Sequence, residues 1–414
     1  MSCEPITILI PTRERADVLP YALATCTAQR DADVRILVSD NASEDSTPAL
    51  LTGAAAADRR VRSIRAPRRL GMAEHWEFAL NHVTEGWVVV IGDDDGLLPD
   101  ALPVLRQAAA RHPGLDAISW PYSFYCYPNP AKQGTSGLLA LGELPAEEIR
   151  DGRAWLQKLA GFRTAYYTEL PMVYHGMVHT RLLRRVREAQ PHGRLIGTRI
   201  PDVFLAVALA ATCGRYLRLP RSQSIFGSSP HSNGSASQGH GDQSIYARFE
   251  SESTLGKHPS IPTMRAISTL ILEALLTCRD AGIVPGDVAI DLQTAFTRAF
   301  LENAALPQPD PEATMARLAD GIGQELLHRR LAGLSRSARK SLAAELAGSG
   351  WMPVHTRVVN ALHEHGVRDV AGAVAVAVAM YAERPRSGRP SFGRRFASGV
   401  ARLASAVRRF VRKR

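Results

Sequence analysis

Cysteine is scarce, with five residues in 414 standing singly at 3, 26, 126, 213 and 278, no CxxC pair and an odd total. That pattern supports neither a disulfide framework nor a zinc finger, and a reducing compartment is the expected setting. Long apolar runs are lacking as well. The most apolar late segment, Val370 to Met380, is too short and too alanine-rich to span a bilayer. Met1 leads directly into Ile6-Thr7-Ile8-Leu9-Ile10 without a basic flank or cleavage site. The expectation is a cytoplasmic protein with neither a transmembrane helix nor a secretory signal. Acidic residues are missing from the basic C-terminal region. Residues 384–414 hold ten Arg, one Lys and no acid, a charge of +11, whereas the whole chain sums to +10, leaving residues 1–383 at −1. The basic character therefore belongs to a tail, and bulk charge gives the folded body no case for binding nucleic acid.

What is present is an apolar content of 45% over a length that accommodates one large domain and a smaller one. From Ile6 to Tyr122, short β-branched runs alternate with helix-length amphipathic segments, which predicts a mostly parallel, Rossmann-like sheet with helices on both faces, an α/β fold. The predicted strands are Ile6 to Ile10, Val34 to Ser39, Val61 to Arg65, Trp87 to Ile91 and Ala117 to Trp120. Helices are expected near Asp17 to Ala28, Thr47 to Ala57, Met72 to Val83 and Pro99 to Arg111. Open sheets of this kind bind ligands at the carboxyl ends of their strands. Polar residues gather at those ends: Pro11-Thr12-Arg13, Asp40-Asn41 and Gly92-Asp93-Asp94-Asp95-Gly96.

Tyr125 to Ile149 is rich in Pro and Gly without a clear period and reads as a loop region, followed by helices at Arg153 to Phe162 and Ile200 to Cys213. Ser228 to Ser244, mostly Ser, Gly, His and Asn, reads as a mobile loop. Beyond Pro262 the pattern is wholly helical, with a boundary near 255 to 262. The expected organisation is an α/β domain over 1–258, an all-helical C-terminal domain over 259–383 and a basic amphipathic tail over 384–414.

Three carboxylates in succession at the end of a buried strand raise one another's pKa unless something neutralises them. Asp93, Asp94 and Asp95 are hard oxygen donors suited to Mg²⁺ or Mn²⁺, which takes its other ligands from water and substrate phosphates. A solvated acidic turn is the alternative for such a triplet. Its position between Trp87-Val88-Val89-Val90-Ile91 and Leu97-Leu98-Pro99-Asp100-Ala101-Leu102 favours the metal.

Taken with Ile8-Leu9-Ile10-Pro11-Thr12-Arg13, Val38-Ser39-Asp40-Asn41-Ala42-Ser43-Glu44-Asp45-Ser46-Thr47 and Leu70-Gly71-Met72-Ala73, this block resembles the family 2 glycosyltransferases in order and spacing. The resemblance covers residues 5 to 125 firmly and 150 to 230 loosely. It implies a GT-A fold and a nucleotide-sugar donor. Carried over, it implies that Pro11, Thr12 and Arg13 line the nucleotide pocket and that Asp40 contacts the base or ribose. Asp93 and Asp94 would lie near the ribose and diphosphate, and Asp95 would bind the metal. Asp40 also shows no basic neighbour in the sequence, although a turn role is open to Asp40-Asn41. A departure from the family pattern occurs at His75 and Glu77, where Asn is frequent.

An inverting transfer needs a general base, which the family supplies from an acid at the start of a downstream helix. Pro201-Asp202-Val203-Phe204-Leu205-Ala206 resembles that element with Pro in place of Glu, making Asp202 the base candidate; its alternative is a first-turn aspartate complementing the helix dipole. His231 and His240 in the 228–244 loop are candidates for a further metal ligand, with simple solvation as the alternative. His175 and His179 read as strand or core residues.

The sequence is thus read as a metal-dependent, inverting glycosyltransferase acting on a hydroxyl of a glycan or lipid-linked acceptor in surface-glycan, polysaccharide or glycolipid assembly. A nucleotidyltransferase on a similar sheet, or a degenerate membrane-binding scaffold, is the rival reading. In the tail, Phe392, Phe396, Val400, Leu403, Val407 and Val411 share one helical stripe while the basic residues mostly lie elsewhere on the wheel. The expectation is peripheral association with the anionic inner face of the cell membrane, with no nucleic-acid partner; docking of the stripe on the helical domain is the alternative.

Overall fold

The computed structural model describes residues 4–31, 33–129, 134–164, 166–232, 243–261, 266–304 and 355–382. Its centre is an eight-stranded sheet in the order β3 (Val61–Arg65), β2 (Val34–Asp40), β1 (Ile6–Thr12), β4 (Trp87–Val90), β10 (Gly176–His179), β6 (Ala117–Ser119), β11 (Arg215–Arg218), β9 (Glu148–Asp151). β1 to β4 are parallel. β10 enters antiparallel between β4 and β6, so the parallel character stops there. Parallel strands are covered on both faces and need apolar side chains on both. Ile6, Ile8 and Ile10 point into a core with α1 (Leu19–Thr27), α2 (Thr47–Ala57) and α4 (Ala101–Arg111). Leu9, Val88 and Val90 point into the opposite core with α3 (Met72–Asn81), α5 (Gly152–Ala160), α6 (Thr180–Ala189) and α7 (Pro201–Thr212). This is an α/β sheet with helices on both faces, as the sequence pattern leads one to expect.

α7 is apolar around its circumference and buried from Val203 to Ala210, which makes it the hub of the second core. α9 (Ile267–Asp280) lays Ile271, Leu272 and Leu275 into that same core, and α10 (Leu292–Ala304) adds Phe296 and Ala299. The boundary expected near 258 therefore does not divide two packing units among the described residues. An all-round apolar helix cannot be covered by the sheet alone, and the later helices complete its cover.

A second, five-stranded sheet differs from expectation. It runs β13 (His355–Val359), β8 (Leu139–Gly142), β7 (Phe124–Cys126), β12 (Ser224–Ser228), β5 (Gly96–Leu97). The stretch from 125 to 149, read as a loop region, thus supplies strands, and β13 interrupts the helical reading beyond Pro262. Tyr125, Leu139, Leu141 and Ile225 on one face of this sheet pack with Val370, Ala373, Val374 and Ala377 of α11 (Val370–Ala382). The helices expected at 311–331 and 336–347, the residue His240 and the tail 384–414 lie outside the described residues. Among the described residues, no helix is long and apolar enough to cross a membrane.

Candidate active site

A cavity of about 1110 Å³ opens where the carboxyl ends of β1 and β4 meet the N-terminus of α7 and the second sheet. Pro11, Thr12, Arg13 and Arg15 line it from the end of β1, Asn41 from the end of β2, Asp93 and Asp94 from the turn after β4, and Asp202 from α7. The last wall is α8 (Gln243–Glu252), through Ile245, Arg248, Phe249 and Glu252. The Arg13 guanidinium donates to Glu252 at 2.6 Å, joining β1 to that helix.

The three carboxylates of the acidic turn have distinct environments. Asp95 has no exposed surface and does not line the cavity. Its Oδ2 accepts from the Gly92 N–H and from His175 Nε2 at 2.9 Å, and its Oδ1 accepts from the Gly227 N–H at 2.7 Å. His175 continues the chain: its Nδ1 is 2.7 Å from Ser224 Oγ, which accepts from Trp120 Nε1 at 2.8 Å. The Asp95 carboxylate, an acceptor, requires the hydrogen on Nε2. Asp95 is thus a buried anchor that ties the turn to β12. Asp95, the metal ligand expected from the sequence, does not line the cavity, whereas Asp93 and Asp94 do. Gly227 must be glycine for the anchor to form, because a Cβ there would overlap the Asp94 carbonyl oxygen.

Asp93 sits 3.4 Å from Arg15 Nε, and Asp94 Oδ2 accepts from the Ser229 N–H at 3.1 Å. Burial, reinforced by the neighbouring carboxylates, pushes the Asp94 carboxyl up from 3.8 to about 7, and burial likewise raises Asp93 against the opposing pull of Arg15. A half-buried and a buried carboxylate that repel each other on one cavity wall are a donor set that fits a hard divalent cation supplied with further oxygens by water and phosphate. Among the described residues, no group of three or more His, Cys, Asp or Glu side chains could hold a metal. His231 lies at the rim with its Nε2 3.7 Å from Asp17, so the structure does not assemble it with Asp93 and Asp94 as the expected metal ligand.

Asp40 also departs from expectation. It is buried, lies outside the cavity lining, accepts from the Ser43 N–H at 3.0 Å and pairs with Arg65. β2 and β3 are parallel with Asp40 opposite Arg65, so the basic partner comes from the adjacent strand end. Its neighbour Asn41 faces the cavity, fixed by a two-way bond with the Leu70 backbone, both contacts at 2.8 Å. His75, at the place of the departure from the family pattern, shares a 2.9 Å bond with Ser39, and burial pushes it down to about 4, so it is neutral at physiological pH.

Asp202 occupies the first turn of α7, where the helix dipole favours its charged form. Burial nevertheless prevails, holding its pKa above the usual carboxylate range in spite of a 2.6 Å bond donated by the Tyr167 hydroxyl to Oδ2. A raised carboxyl with one oxygen oriented by a phenol is suited to accept a proton from a bound hydroxyl. Sequence reasoning assigns no role to Tyr167 or Arg15, places Asn41 at a strand end beside Asp40 without a role of its own, and marks His175 as a strand or core residue. The left-handed backbone of His175, φ 52°, carries no sequence signal.

Residues 7–174 match the family model described as Glycosyl transferase family 2. The chain is 32% identical over 104 residues to the succinoglycan biosynthesis protein ExoO of Rhizobium meliloti (strain 1021), a match covering 25% of this chain and 29% of that protein. The chain therefore spans less than a third of that curated relative. Among solved structures it is similar to S. aureus TarS 1-349 in complex with UDP-GlcNAc, with 13% identity, 82% of this chain and 92% of that one covered, and a TM-score of 0.42. It is also similar to the mannosyltransferase PcManGT of Pyrobaculum calidifontis in complex with GDP-Man and Mn²⁺, with 18% identity, coverages of 84% and 88%, and a TM-score of 0.39.

Proposed function

We propose, from the premise that residues 7–174 are a glycosyltransferase family 2 domain, that this enzyme moves a sugar from a nucleoside-diphosphate donor to a hydroxyl acceptor with inversion. Its setting would be the assembly of a surface polysaccharide or glycolipid. The observation that carries the reading is the convergence of Arg13 and Arg15, of Asp93 and Asp94, and of Asp202 on one cavity. Pro11, Thr12 and Asn41 would border the nucleoside. Asp93 and Asp94 would hold Mg²⁺ or Mn²⁺, which when bound supplies charge neutralisation for the diphosphate. Arg15, 3.4 Å from Asp93, places a fixed cation on the same side. Asp202 would take the acceptor proton on the carboxylate oxygen as the hydroxyl oxygen bonds the anomeric carbon and the bond to the diphosphate breaks. Tyr167 keeps the other oxygen occupied and the carboxylate oriented. Proton NMR of the product tests the stereochemistry: an anomeric configuration opposite to the donor's is expected, and retention contradicts the role of Asp202 as base.

The tail, outside the described residues, is proposed on its sequence pattern to hold the enzyme on an anionic membrane surface, each basic residue contributing about 1 kcal/mol near the leaflet. Full-length protein should float with phosphatidylglycerol liposomes at low salt, and a chain ending at Glu383 should stay in the soluble fraction. Equal behaviour of the two chains removes the tail from that role.

A further inference from the structure

The cavity has a wall with no part in the donor chemistry. It is one face of the second sheet, where Tyr122, Phe124 and Cys126 alternate with Ser123, Tyr125 and Tyr127 along one chain segment. Tyr125 and Tyr127 pack into the core under α11, whereas Tyr122, Phe124 and Cys126 line the cavity. β12 runs parallel alongside with Phe226 opposite Phe124 and Ser228 opposite Cys126, and both residues line the cavity as well. The ring of Tyr122 lies 6.1 Å from that of Phe124 at 33° and 5.5 Å from that of Phe226 at 38°. Rings tilted so little relative to one another form a gently curved aromatic surface. All three residues are half-buried.

This wall and Asp202 line the same cavity. Burial pushes the Tyr122 phenol well up, and the Asp202 charge is among the negative charges that add to the shift. No basic residue belongs to the wall: the arginines of the cavity come from the end of β1 and from α8. The surface is therefore matched to a neutral partner with a flat apolar face, and not to a phosphate. Polar groups border it at Thr135, Ser228 and Ser232. A flat C–H face surrounded by hydroxyls is the description of a pyranose ring. An acyclic polyol has the hydroxyls without the face.

We propose that Tyr122, Phe124 and Phe226 form an acceptor subsite that stacks a pyranose ring and presents one of its hydroxyls to Asp202, so that the acceptor is a saccharide. The proposal rests on the transferase reading above. It is tested with full-length protein, Mn²⁺ and whichever of the UDP-, GDP- and dTDP-sugars the protein binds. The acceptors are methyl glycosides of glucose, galactose and mannose, set against ribitol and sorbitol. Transfer to at least one methyl pyranoside is expected, with the alditols at least about tenfold poorer. Phe226→Ala should raise the acceptor KM by about tenfold, the scale of an aromatic stacking contact, with a smaller change in kcat. Phe226→Tyr should restore it and Phe226→Leu should not, which separates a ring from mere bulk. Donor affinity measured by calorimetry reports that the variants are folded. Alditols used as well as pyranosides, transfer to neither class by a protein that binds donor, or a Phe226→Leu variant matching the parent overturns the pyranose subsite and leaves the transferase standing. Absence of binding to every donor overturns both.

Discussion

Asp202→Asn is expected to lower the transfer rate by roughly 10²- to 10⁴-fold, the range removed with a general base. Donor affinity should stay near the parental value. The amide keeps the volume and can keep the Tyr167 contact, but it cannot take the acceptor proton. Burial holds the native carboxyl above its usual range, so the parent's rate should fall on the acidic side as Asp202 becomes protonated, and that limb should vanish in the variant. Calorimetry with donor and a turnover assay, run side by side, separate the two effects. A variant with near-parental turnover returns Asp202 to the role of a first-turn acid complementing the dipole of α7.

Asp94→Asn should abolish metal-dependent donor binding without loss of fold. The substitution removes the charge and one oxygen of one of the two proposed cavity-facing ligands and relieves repulsion within the acidic turn. Asp95→Asn should behave differently, because Asp95 accepts from Gly92, Gly227 and His175 in a site without exposure, and an amide in its place leaves buried groups mispaired. A cost of about 1–3 kcal/mol in stability follows. The carboxyl of Asp94 is pushed up to about 7, so metal binding must displace a proton near neutrality and should strengthen as pH rises from about 6 to about 8. The metal-free protein has the opposite sign. Its native state holds the Asp94 proton more tightly than the unfolded chain does, so that contribution is present below 3.8 and is lost as pH rises through about 7. Mn²⁺ should cancel the decline. Undiminished metal-dependent binding by Asp94→Asn contradicts the assignment.

The first half of the fold is legible in the sequence because buried parallel strands demand near-continuous apolar runs. Ile6 to Ile10, Val34 to Ser39 and Trp87 to Ile91 announce themselves in this way, and the observed strands agree within two residues. The second sheet is not legible, since its strands are two to five residues long and pair across great sequence distances, as β13 does with β8. One signal was available there. The alternation in Tyr122-Ser123-Phe124-Tyr125-Cys126-Tyr127 marks a two-faced aromatic strand, yet the surrounding Pro and Gly conceal it. The site divides similarly. Pro11 to Arg13, Asp93, Asp94 and Asp202 reach the cavity from strand ends and a helix start, places the chain order reveals. The enclosure of Asp95 depends on His175, eighty residues away, and no local pattern records it. The pairing of Asp40 with Arg65 could have been foreseen, since both residues terminate neighbouring parallel strands.

Thermal denaturation of the full-length protein against UDP-, GDP- and dTDP-sugars, each with and without Mn²⁺, tests metal-dependent donor binding at this cavity most directly. A donor present at a hundredfold excess over its Kd adds about 2.7 kcal/mol to stability, a readily measured rise in Tm. The expected result is that at least one nucleoside-diphosphate sugar raises Tm only in the presence of Mn²⁺, and that Asp94→Asn erases the rise. Stabilisation by a nucleoside triphosphate alone, or by no donor with or without the metal, would contradict it.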